Sequence, residues 1–118
     1  MKKQKKNYKL FKNYYKNLNK ILISDYVKSQ GFGAGLMVPI LAYYLPVINS
    51  LRYIVDDNPK RCNKKYINLE PIVKNSKNLN TNLPTLITSI ATKEASRQIF
   101  ERLTKLGVKN ITLPAINS

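Results

Sequence analysis

Apolar residues recur along this chain in two rhythms, one of three to four residues and one of two, separated by short polar or glycine-rich breaks. In the first thirty residues Tyr8, Phe11, Tyr14, Tyr15, Leu18, Ile21, Leu22 and Tyr26 fall three or four apart between lysines, which predicts an amphipathic helix with a cationic face. Gly31-Phe32-Gly33-Ala34-Gly35 then breaks the pattern and reads as a hinge. From Leu36 to Ile48 the chain is nearly all apolar. Pro39, Pro46 and the nearby Arg52 make this run too short and too interrupted for a membrane span of about 20 residues. It predicts a buried strand feeding a core helix, with Pro46 in the first turn and Val47, Ile48, Leu51, Ile54 and Val55 on one face.

Asp57-Asn58-Pro59 ends that helix. Tyr66, Leu69 and Pro71 within Lys64 to Val73 suggest an edge strand that tolerates proline, and the polar stretch from Lys74 to Asn82 suggests a solvated loop. Leu83 to Ile90 alternates as a second strand. Ala95, Ile99, Leu103 and Leu106 define a helix face over Thr92 to Leu106, closed by Gly107, and Val108, Ile111 and Leu113 make a last short strand. The order strand, helix, strand, strand, helix, strand predicts an α+β fold of the ferredoxin-like split βαβ type (βαββαβ), with two helices on one face of a four-stranded antiparallel sheet. On this reading residues 1–33 are a basic N-terminal helical extension with its glycine hinge, and residues 34–118 are the folded domain.

Charge changes the picture more than any motif. The 118 residues carry 21 Lys plus Arg against 6 Asp plus Glu, a net charge of +15, which points to an anionic partner, nucleic acid or an acidic surface. Nine of the lysines lie in the first thirty residues, with Asp25 the sole acid there. That segment has Lys and Asn where an import presequence is rich in Arg and Ser, so it reads as a retained extension.

Candidate chemistry is sparse. Cys62 stands alone and there is no histidine, so no disulfide, zinc site or histidine base is expected, and no catalytic residue, metal ligand or cofactor is assigned. An enzyme is not expected. The glycine run shares its spacing with phosphate-binding loops, but no Lys-Ser/Thr follows it. The acid expected about 20 residues on falls in a predicted helix rather than a strand, so a hinge is the better reading.

In order along the chain, Ala42-Tyr43, Val47-Ile48-Asn49, Ile54-Val55-Asp56 and Lys60-Arg61 resemble the first strand and helix of the small-subunit ribosomal protein S-ten family. Glu70-Pro71-Ile72-Val73, Thr85-Leu86-Ile87 and Gly107-Val108 are similar to that family's later elements, so the resemblance spans roughly residues 36–116. Tyr44-Leu45 departs from it, standing where the family has Asp-His. A second register is open: Ser96-Arg97 and Phe100-Glu101 also resemble the family's hairpin tip, which would make residues 90–113 a hairpin.

The resemblance implies a non-enzymatic constituent of the small-subunit head, bound to small-subunit rRNA and to head proteins such as those numbered three, nine and fourteen, with no small-molecule substrate. The RNA-binding candidates are Lys2, Lys3, Lys5, Lys6, Lys9, Lys12, Lys16, Lys60, Arg61, Lys64, Lys65, Lys74 and Lys77. The bias toward Lys, Asn, Ile and Tyr is that of an AT-rich genome. It suggests a mitochondrial ribosome, or else the cytoplasm of an AT-rich bacterium. The rival expectation is a small membrane-associated subunit of an organellar complex, anchored through residues 32–55.

Overall fold

Gly31 and Phe32, expected in a hinge, instead form the central strand of the sheet together with Gln30 (β1, Gln30–Phe32). The computed structural model describes residues 16, 17, 20, 29–89 and 92–114. After β1 come helix α1 (Val38–Tyr44), a 3-10 turn (Pro46–Ser50) and strand β2 (Tyr53–Asp56). Strand β3 (Ile72–Asn75), a second 3-10 turn (Ser76–Asn78), strand β4 (Thr85–Ile87), helix α2 (Lys93–Lys105) and strand β5 (Ile111–Thr112) complete the order. All five strands are parallel, in the order β3-β2-β1-β4-β5. The domain is therefore a small α+β unit with a five-stranded parallel sheet and two helices; the four-stranded antiparallel sheet of the ferredoxin-like expectation is not what forms.

The topology decides where the core sits. The β1-to-β2 and β4-to-β5 connections step in opposite directions along the sheet, and right-handed crossovers then put their helices on opposite faces. Neighbouring strand residues accordingly split between two apolar layers. Ile54, Val73 and Leu86 pack with Val38, Leu41, Leu45 and Ile48 of the α1 side. Phe32, Val55 and Ile87 pack with Leu103 and Val108 of the α2 side. A strand buried on both faces reads as an apolar run rather than an alternation. That is why Ile54-Val55 and the residues before it imitate a helix face, and why the predicted core helix is instead a 3-10 turn followed by β2.

The other departures share this cause. Ala42 and Tyr43, expected at the end of a strand, lie in α1, where Pro39 occupies the tolerated first turn. The boundary at residue 34 moves earlier, since Ser29 and Gln30 are fully buried. The Gln30 amide donates to the Asn80 carbonyl (2.6 Å) and to Thr85 Oγ1 (2.9 Å), while its Oε1 accepts the Asn80 N–H (3.1 Å). The polar stretch after Val73 contributes the end of β3 and the second 3-10 turn. Beyond β3, Lys65 bridges antiparallel to Ile72, so only the tip of the predicted Lys64 to Val73 strand is paired.

Helix α2 forms where its pattern predicts it. Thr92 caps it by accepting the Ala95 N–H (3.2 Å), Leu103 is fully buried, and Gly107 turns the chain with φ of +99°. Residues 93–105 are thus not a hairpin. Leu106 is half exposed rather than facing the sheet, and the last strand, β5, pairs with β4 at the sheet's edge.

Candidate anion-binding site

In a parallel sheet the strand carboxyl ends share one side, and ligands of open α/β sheets bind there, beside the point where the strand order reverses. Here the order reverses between β1 and β4, whose outgoing connections run toward opposite edges of the sheet. The loop leaving β1 begins with Gly33 at φ of +105°, a backbone shape that favours glycine. A Cβ there would overlap the Ser89 hydroxyl, so glycine also lets the loop pass close over the end of β4. The Gly33 N–H donates to the Val55 carbonyl (2.8 Å), and its carbonyl accepts from Thr88 Oγ1 (2.5 Å).

Asp56 ends β2 and ties two loops together. Its Oδ2 accepts the Ala34 N–H (2.7 Å) and its Oδ1 accepts the Asn58 N–H (2.8 Å), with Arg61 Nη1 at 3.4 Å from Oδ2. The side chain is about 10% exposed. A second tie comes from Tyr66, whose hydroxyl donates to the Gly35 carbonyl (2.6 Å). Burial raises the Tyr66 phenol above its ordinary pKa of 10.0; the nearby Arg61 opposes this and Asp56 adds to it. The connection between β2 and β3 is further held by Asn63, at φ of 64°, whose N–H donates to the Val73 carbonyl (2.7 Å).

Between these loops lies a cavity of about 230 Å³. Ala34, Gly35 and Leu36 of the β1 loop, with Val73 and Tyr66, supply its apolar wall. Lys60, Arg61, Lys64 and Lys65 of the β2-to-β3 connection supply four cations. The one backbone N–H of the glycine run that faces a carboxylate, on Ala34, is taken by Asp56, so side chains rather than the loop backbone are what the cavity offers an anion.

Four of the thirteen RNA-binding candidates thus converge here: Lys60, Arg61, Lys64 and Lys65. Lys74 lies on β3 with its ammonium 4.8 Å from the Tyr53 ring centroid, and Lys77 lies in the 3-10 turn after β3; neither lines the cavity. Lys16 is helical and exposed, and Lys2, Lys3, Lys5, Lys6, Lys9 and Lys12 fall outside the described residues. Sequence reasoning missed Gly33, Asp56 and Tyr66. A signal is present for two of them, a glycine run followed by an acid at the end of the next strand, but no Lys-Ser/Thr follows the run and that strand reads as a helix in sequence.

Among the described residues no group of three or more His, Cys, Asp and Glu could hold a metal ion. No helix among them is long and apolar enough to cross a membrane. Residues 32–55, the span proposed as an anchor, form the end of β1, α1, a 3-10 turn and most of β2, and their buried side chains enter both layers of the core. The chain matches no known family model, and no similar protein was found among curated sequences or solved structures.

Proposed function

We propose that the protein is a binding module for a small phosphate-bearing ligand, taken in the cavity at the carboxyl ends of β1 and β2. One observation carries this reading: four cations from one loop converge on a partly apolar cavity at the carboxyl ends of β1 and β2. Cations favour phosphate oxygens, Arg through its planar fork and Lys as a point charge. The apolar wall suits the uncharged body of such a ligand. Asp56 and Tyr66 preorganise the mouth by latching the β1 loop to the β2-to-β3 connection. This departs from the expectation of a protein without a small-molecule ligand.

Isothermal titration of the full chain with pyrophosphate tests the proposal. Saturable binding at physiological salt is expected, with a loss of at least about tenfold on replacing Lys60→Glu and Lys64→Glu together, since one charge contact is worth roughly 1.5–3 kcal/mol. Equal affinity in wild type and variant would sink it.

A second reading, a small-ribosomal-subunit protein bound to rRNA, draws on the net charge of +15 and the nine lysines of the first thirty residues. Agreement with a split βαβ fold no longer supports it, because the sheet is parallel. Recovery of the chain in a purified small subunit, released by salt without detergent, would favour it.

A further inference from the structure

We propose that this cavity selects a dianion, so that its ligand is a phosphomonoester rather than a phosphodiester; the inference rests on the anion-site reading above. The charges around the cavity carry it. Arg61 already faces the Asp56 carboxylate at 3.4 Å, and Lys65 reaches Glu70 at 4.0 Å. Lys60 and Lys64 have no carboxylate within ion-pair distance among the described residues. Among the described residues, two positive charges on one short connection are therefore without a paired carboxylate. A diester brings one negative charge and leaves one lysine without a counter-charge. A monoester above its second ionisation, near pH 6, brings close to two, on three terminal oxygens that accept from several donors at once.

The chain's composition makes the inference readable from pH alone. The titratable groups lining the cavity are the four cations and Tyr66 of the connection, and the acids next to them are Asp56, paired with Arg61, and Glu70, paired with Lys65. Carboxyl groups ordinarily titrate below about pH 5, and phenols and ammonium groups above about pH 9. Cysteine thiols, such as that of Cys62 on this connection, ordinarily titrate at about pH 8.5, and histidine, whose ordinary pKa falls between about pH 5 and about pH 7.5, is absent from this chain. A change in affinity between about pH 5 and about pH 7.5 is thus assigned to the ligand's own second proton.

Isothermal titration of the full chain with adenosine 5′-monophosphate and with its 3′,5′-cyclic diester, at both ends of that range, separates the cases, because the two share base and sugar. The monophosphate is expected to bind about tenfold more tightly at the higher pH, as the loss of its second proton near pH 6 requires. The cyclic diester is expected to bind more weakly and without pH dependence. Replacing Lys60→Gln and Lys64→Gln, both exposed, should leave the circular dichroism spectrum intact and abolish the difference. Inorganic phosphate binding more tightly as the pH rises through its own second ionisation, in the absence of nucleotide binding, would support dianion selection and exclude the adenosine body. Equal, pH-independent binding of monoester and diester would overturn dianion selection while leaving an anion site in place. Failure of all three ligands to bind would overturn the anion site itself, and the inference with it.

Discussion

Glycine has two uses in this chain that look alike in one dimension. Gly31, read as part of a hinge, sits inside β1, where an added Cβ would come within 3.1 Å of side-chain atoms of Ile54, Leu51 and Thr88. It is there for room, not freedom. Gly33 needs both, with φ of +105° and Ser89 pressed against it. Gly33→Ala should lower stability by at least about 2 kcal/mol, from the left-handed backbone and the overlap together. Gly35→Ala, two residues on in open space and without a left-handed φ, should stay within about 0.5 kcal/mol. Urea denaturation of the pair measures the difference, and similar midpoints for the two variants would show that Ser89 and β4 yield easily. Nothing in a string of residues tells a glycine chosen for space from one chosen for flexibility, because the neighbours that demand it, Leu51, Ile54 and Thr88 for Gly31 and Ser89 for Gly33, are far from it in sequence.

Among the elements, α2 was legible and the strands were largely not. An amphipathic helix writes its period into the sequence, with Ala95, Ile99 and Leu103 on one side and Thr92 and Gly107 at its ends. Strands of two to four residues buried on both faces write only an apolar run, which a helix can also write. Tertiary ties between elements leave no local trace at all. Arg102 of α2 holds Asp57, just past β2, through both carboxylate oxygens, at 2.5 and 3.0 Å. Hydrogen bonds from Arg102 and then Ser76 lower the Asp57 pKa from 3.8 to about 2. Because the folded value lies below the unfolded one, this stabilisation is present above pH 4 and is lost as the pH falls through about 2. Asp57 and Arg102 are about half exposed, so the pair contributes at most about 1 kcal/mol. Arg102→Gln should accordingly flatten that part of the acid limb in chemical denaturation between pH 4 and pH 2, and an unchanged acid limb would count against the tie.

At the scale of the whole molecule the net charge of +15 is legible, since it does not depend on the fold, whereas the topology depends on which strand is central. Gln30–Phe32 is both the first strand and the middle of the sheet, paired to β2 on one side and β4 on the other. A chain starting at residue 34, the boundary read from composition, lacks that strand and exposes both apolar layers. Its thermal melt, followed by circular dichroism, should show no cooperative transition, where the full chain should show one. A sharp transition in the truncated chain would mean that the two layers can close without β1.

The place of β1 also has a consequence in time. Within this domain it leaves the site of synthesis before either of its partners, and its buried Gln30 bonds to Thr85, 55 residues later. Until β4 has emerged, the middle of the sheet has one neighbour at best, and the layer holding Phe32 and Ile87 cannot close. Contacts this distant along the chain are slow to form. The layer on the α2 side therefore closes late, and only then does Thr88 fasten the start of the glycine loop that Asp56 and Tyr66 can already hold to the cationic connection.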